Sequence, residues 1–163
     1  MVTAAIVAAR VADPELPMLT LADLGILRAV EESGEYVVVT ITPTYSGCPA
    51  MQTIEDDLTA ALRGAGYARI EVRTVLTPAW TTDWITATGR DKLAAAGISP
   101  PGPAPRRAAG PVPLTLSPGR RVISCPQCGH PDTEEIAAFS ATACRSLRRC
   151  PVCREPFEHV KEI

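Results

Sequence analysis

Histidine and aromatic side chains are scarce in this chain of 163 residues, which holds two histidines, two tryptophans, three tyrosines and two phenylalanines. Neither histidine precedes His130, so the N-terminal part has no imidazole to serve a cysteine or serine nucleophile as its base. Glu-x-x-His pairs are missing, which argues against a carboxylate-bridged di-iron bundle. No Gly-x-Gly-x-x-Gly run is present either, so the fingerprint of a dinucleotide site is lacking. No apolar run is long enough to span a bilayer. Residues 1–12 are apolar and Ala-rich, yet they carry Arg10 and lack the basic start of a signal peptide. These absences argue against a di-iron oxygenase or a Rossmann-type reductase and predict a cytoplasmic protein without a membrane anchor. With so few aromatics, any core must be mainly aliphatic.

The formal net charge is −2, but it is unevenly distributed. Residues 1–103 hold 7 basic and 12 acidic side chains, net −5, and residues 104–163 hold 9 basic and 6 acidic, net +3. Proline marks the division: Pro100, Pro101, Pro103, Pro105, Pro111, Pro113 and Pro118 crowd residues 98–119. That density predicts a semi-extended spacer. The expected organisation is a domain over 1–97, a linker over 98–119 and a small module over 120–163.

Hydrophobic spacing predicts the elements of the first domain. A helix is expected over residues 1–12, stopped by Asp13-Pro14, and Thr20 or Asp23 is placed to cap a short turn through Leu24. Strands are expected over 26–32 and 36–42, joined by a Ser33-Gly34 turn. A helix over 49–63 follows, ended by Gly64 or Gly66, then a strand over 69–76 and a short helix over 89–96 ended by Gly97. The order α-β-β-α-β predicts an α+β fold of two layers, with helices over one face of a small sheet.

The last module carries five of the six cysteines. Cys125-Pro-Gln-Cys128 and Cys150-Pro-Val-Cys153 are two Cys-x-x-Cys knuckles with 21 residues between them. Each tight turn aims two sulfurs at one point, so two turns supply a tetrahedral four-sulfur metal site of zinc-ribbon type. A module this small needs such a staple to stay folded. Zinc is the expected metal, with iron the alternative. Cys144 lies between the knuckles, either as a buried apolar side chain or as a further ligand. His130 and His159 read as surface residues. Arg120, Arg121, Arg145, Arg148 and Arg149 suggest a nucleic-acid ribbon, but a net charge of +3 without interleaved aromatics speaks against nucleic acid as the partner.

Cys48, in Thr42-Pro43-Thr44-Tyr45-Ser46-Gly47-Cys48-Pro49, sits where a strand hands over to a helix. Pro49 suits a first helical turn, and a helix N-terminus favours a thiolate. Nucleophile, redox thiol and metal ligand all remain open, although no histidine base and no nearby resolving cysteine is present. Asp13, Glu15 or a second copy's Cys48 are available as further donors, so a homodimer is one possibility. Trp80 and Trp84, spaced to share one side of a helical turn, are either a packing cap or a partner-binding patch.

Asp13-Pro14-Glu15, residues 21–27 and the run around Cys48 together resemble the metal–sulfur cluster biosynthesis family. The run Trp80-Thr81-Thr82-Asp83-Trp84-Ile85, the stretch Gly89-Arg90-Asp91-Lys92-Leu93 and the five-cysteine tail narrow this further. They make the whole chain similar to the branch that accompanies 1,2-phenylacetyl-CoA epoxidase in phenylacetate catabolism. The resemblance implies a non-catalytic accessory role with the reductase and oxygenase components of that epoxidase as partners. It further implies a transient iron–sulfur cluster or iron handled for the reductase, or a part in assembling the complex. It places Cys48 at the reactive position with Asp13 and Glu15 beside it.

Overall fold

The computed structural model describes residues 3–45, 47–104 and 122–163, in two compact units, Met1–Lys92 and Leu93–Ile163. Most of the expected spacer, residues 105–119, lies outside the described residues, as do Arg120 and Arg121.

In the first unit, α1 covers Ala4–Ala9 and buries Ala4 and Ala8, one turn apart on one face. It is shorter than its apolar run and ends at Ala9, before Asp13-Pro14 is reached. The chain instead turns back, and Ala12 bridges to Thr20. Thr20 and Asp23 then cap each other: the Asp23 carboxylate accepts the Thr20 N–H at 2.9 Å, and the Thr20 hydroxyl accepts the Asp23 N–H at 3.1 Å.

β1 (Leu27–Ser33) and β2 (Tyr36–Ile41) form the expected hairpin, with Gly34 at φ 60° supplying the left-handed turn residue. α2 (Met51–Gly64) carries Ile54, Leu58 and Leu62 on its buried face. It ends in a Schellman turn, with Gly66 at φ 98° and the Tyr67 N–H on the Leu62 carbonyl at 3.2 Å. β3 (Arg69–Thr74) then lies parallel to β2, with α2 as the crossover. The order β1-β2-β3 makes β2 central. Val37, Val39 and Ile41 on it are fully buried, with Val38 nearly so. α1 and α2 pack against each other and against the sheet, giving the two-layer α+β arrangement.

A 3-10 turn, Thr82–Trp84, leads into α3 (Ala87–Ala95). The Trp84 backbone lies so close to Gly25 that a Cβ there would fall 2.6 Å from both the Cβ and the carbonyl oxygen of Trp84.

The second unit is a three-stranded antiparallel sheet, β4 (Glu134–Ala137), β5 (Arg145–Arg149) and β6 (Pro156–Val160), in that order. The start of the expected spacer belongs to it. Ser99 forms a parallel bridge to His159, donating its N–H to the Glu158 carbonyl at 2.8 Å, and Gly102 donates to the Glu162 carboxylate at 3.1 Å.

Candidate metal centre

The two knuckles are built alike. In the first, the Gly129 N–H donates to the Cys125 carbonyl at 2.9 Å, and the Cys125 N–H to the His130 carbonyl at 2.9 Å. In the second, the Arg154 N–H donates to the Cys150 carbonyl at 3.0 Å, and the Cys150 N–H to the Glu155 carbonyl at 3.1 Å. Both turns close on a left-handed residue, Gly129 at φ 74° and Arg154 at φ 65°. Arg154 is a constraint that residue type conceals. The parallel between Cys-Pro-x-Cys-Gly and Cys-Pro-x-Cys-Arg is the sequence signal that finds it.

The turns bring the sulfurs of Cys125, Cys128, Cys150 and Cys153 within 4.8 Å of one another. Cys125 lies 3.6 Å from Cys153 and Cys128 3.5 Å from Cys150, sulfur to sulfur. A metal about 2.3 Å from four tetrahedral sulfurs sets them about 3.8 Å apart, so the donor set and its spacing fit a tetrahedral metal. Cys125 and Cys150 are buried with Ile123 and Phe157, and Cys153 packs against them. The site therefore doubles as the small core of the ribbon. Burial works against ionising Cys150, yet backbone N–H groups of Cys153 and Val152 and the neighbouring thiols bring it down to about 6. Cys153 receives a backbone N–H from Glu155, but burial and the three other sulfurs push it up to about 12. The four sulfurs thus ionise as a set, with Cys150 favoured and Cys153 disfavoured as the thiolate.

Cys144 does not join the four. Its turn before β5 sets its sulfur 3.0 Å from the Thr142 hydroxyl. Arg145 and Arg148 on β5 are buried and paired, and only Arg149 is exposed among the three. Arg145 pairs with Glu158 at 2.6 Å, Arg148 with the Thr133 hydroxyl at 3.0 Å and its carbonyl at 2.6 Å, and Arg149 with Glu134 at 3.5 Å. This pairing works against a phosphate-binding surface there. His159, expected at the surface, is 2% exposed. Register explains the difference: it faces Ser146 on one side and Ser99 on the other, with Nδ1 3.2 Å from the Ser99 carbonyl oxygen. His130 is half-buried at the first knuckle.

In the first unit, Cys48 lies in the turn before α2, and its thiol is half-buried. Its N–H reaches the Tyr45 carbonyl at 3.3 Å and its carbonyl accepts the Met51 N–H at 3.4 Å. The helix starts at Met51 rather than Pro49, because the tight turn at Cys48 precedes it. Ala50 at its N-cap contributes no side-chain hydrogen bond and the first turn holds no acidic residue, so among the described residues no side-chain cap meets its leading N–H groups. Thr42 sits at the foot of the Cys48 loop, 1% exposed, with its Oγ1 unpartnered among the described residues.

Asp13 is 6% exposed and holds its own turn, accepting the N–H groups of Glu15 at 2.9 Å and Leu16 at 2.8 Å. Among the described residues, Asp13, Glu15 and Cys48 do not gather into a ligand set. Trp80 and Trp84 do not share a helical side either, because the 3-10 turn begins only at Thr82. Trp80 is buried, its indole N–H donating to the Leu24 carbonyl at 2.9 Å, whereas Trp84 is half-buried with the Arg28 guanidinium 3.6 Å from its ring centre. No helix is long and apolar enough to cross a membrane among the described residues.

Known proteins match along both units. Residues 3–75 match the family described as iron-sulfur cluster assembly protein, and residues 109–161 the one described as PaaD zinc beta ribbon domain. A protein of Escherichia coli (strain K12) named as a putative 1,2-phenylacetyl-CoA epoxidase subunit is 42% identical over 154 residues, covering 94% of this chain and 88% of that protein. The crystal structure of a domain of unknown function, DUF59, from Bacillus anthracis is similar at a TM-score of 0.51 and 27% identity, covering 55% of this chain and 87% of that one. The solution structure of a Mycobacterium tuberculosis protein associated with Fe-S complex assembly and repair is 36% identical, covering 56% of this chain and 80% of that one, at a TM-score of 0.34.

Proposed function

The chain belongs to the PaaD family of 1,2-phenylacetyl-CoA epoxidase subunits, and from that premise we propose that it serves the epoxidase system as a non-catalytic accessory protein that handles an iron–sulfur cluster, or iron, at Cys48 as cargo. The recipient is the reductase component, with the oxygenase component as a further partner. The observation that carries this reading is the half-buried Cys48 thiol before the uncapped N-terminus of α2, in a unit without histidine. The open N–H groups there favour a thiolate and the negative charge of a thiolate-bound cluster. A nucleophile would need a base that this unit does not supply.

Zinc is the proposed resident of the four-cysteine site, held by Cys125, Cys128, Cys150 and Cys153, where it closes the ribbon as a structural metal. Four protein sulfurs leave no open position, so cargo chemistry is assigned to Cys48 and not to the ribbon. Since Asp13 is held within its own turn, further cargo donors come from a second copy's Cys48, from the recipient or from inorganic sulfide. Of the two tryptophans, Trp84 is the one accessible to a partner.

A second reading is an assembly role without metal transfer. The lack of a completed donor set around Cys48 among the described residues favours it. Measuring cluster content of the reductase matured with wild-type or Cys48→Ser chain separates the two. The cargo reading expects a fall in cluster content with Cys48→Ser while the components still co-purify; unchanged cluster content leaves only the assembly role.

A further inference from the structure

The first unit has a concave surface at the far end of α2 from Cys48. A groove of about 900 Å³ runs between the end of α1, the β1–β2 turn and the C-terminus of α2. The 14 residues of α2 put about 20 Å between the two ends. Small side chains create the space: Ala12, Ala61, Gly64, Ala65 and Gly66 line it beside Val7 and Val11. The wall is already built, because Glu32 accepts the Tyr67 hydroxyl at 2.9 Å and the Ala4 N–H at 3.0 Å. Binding therefore needs little further ordering of the groove, which favours affinity.

Charge decides what fits. Among the described residues, the lining carries Glu32, Glu35 and Asp57 against Arg10 alone, on a unit with 7 basic and 12 acidic side chains. An anionic small molecule would meet like charge, and so would the same acidic surface of a second copy. We propose that the groove docks a segment of a partner protein in which an apolar anchor is flanked by lysine or arginine. The anchor fills the space left by the small residues, and its basic neighbours reach Glu35 and Asp57. Because the groove lies at the opposite end of α2, a partner held there leaves the Cys48 loop uncovered.

The test is an NMR titration of the zinc-loaded full chain with a short amphipathic Leu/Lys peptide and its Leu/Glu counterpart. The Leu/Lys peptide is expected to shift the amides of Val11, Ala61 and Tyr67 saturably, and the Leu/Glu peptide to leave them in place. Ala65→Trp fills the groove from an exposed position and is expected to weaken the Leu/Lys peptide by at least about tenfold with all the carboxylates intact. The pair Glu35→Gln and Asp57→Asn, both exposed, is expected to weaken it and flatten its salt dependence. Wild-type affinity in Ala65→Trp overturns the proposal, since binding would then be general charge attraction. Shifts spread over the acidic surface overturn it too, as do groove shifts that follow the concentration of the chain alone and so report self-association.

Discussion

Arg154 closes the second knuckle by donating its N–H to the Cys150 carbonyl at 3.0 Å, and it does so from a left-handed backbone at φ 65°. Gly129 makes the same bond at 2.9 Å in the first knuckle. A side chain costs about 1–2 kcal/mol in that conformation, and the Arg154 side chain is exposed. Arg154→Gly is therefore expected to stabilise the metal-loaded ribbon by up to about 1 kcal/mol once glycine's extra chain entropy is counted. Gly129→Ala is expected to destabilise it by a similar amount. Thermal melts of the two variants check the pair of opposite signs.

Metal removal is expected to unfold the second unit and spare the first, because two ligands are also two of the four buried residues of the ribbon core. Near-native helix content with loss of amide dispersion in residues 122–163 is the expected outcome of chelation. Without metal, Cys150 is brought down to about 6 and Cys153 pushed up to about 12, so the set as a whole keeps protons at neutral pH. Metal uptake should then release protons, and affinity should rise with pH, most steeply below about 6, where Cys150 also holds its proton. Calorimetry in buffers of different ionisation enthalpy measures the release.

Gly25 cannot accept a side chain without moving Trp84. Its φ is +69°, and an added Cβ would meet Trp84 backbone at 2.6 Å. Gly25→Ala is expected to cost the first unit about 2–4 kcal/mol. A lower melting temperature at unchanged metal content is the result that checks it.

Asp23 ties the capped turn to α3 through Lys92 at 2.6 Å. Burial works against its charge, but Lys92 and the Thr20 N–H prevail and hold the carboxyl below its ordinary 3.8. With the folded value depressed, the stabilisation is fully present above about pH 4 and is lost as pH falls through the lower folded value. Asp23→Asn is expected to lose about 1 kcal/mol at pH 7 and to show a flatter acid limb. Denaturant melts across pH 2–7 (roughly the carboxylate range) test both.

Features set by a few neighbouring residues were legible before the fold was known. The Cys-x-x-Cys turns, the hairpin at Gly34 and the Thr20–Asp23 cap are all local geometry; the first and last form as their residues predict, and the hairpin turns one residue later, on Gly34-Glu35. What depended on distant partners was not legible. His159 is buried because Ser99, sixty positions away, pairs with it, and prolines hid that pairing by marking the same stretch as spacer. Trp80 and Trp84 share a spacing but not a helix, so one went inward to Leu24 and the other met Arg28. The three strands of the ribbon carry too few apolar residues for alternation to reveal them; cross-strand Arg–Glu pairs hold β5 in place instead.

Anaerobic reconstitution tests at once whether the ribbon holds structural metal and whether Cys48 holds the cargo. Zinc-loaded wild type, Cys48→Ser and Cys125→Ser are incubated with iron and sulfide, then analysed for bound zinc, bound iron and visible absorption. Wild type is expected to gain a brown chromophore and keep its zinc, Cys48→Ser to keep zinc without gaining iron, and Cys125→Ser to lose zinc. Iron bound equally by Cys48→Ser, or iron displacing zinc from the four cysteines, would contradict this division of roles.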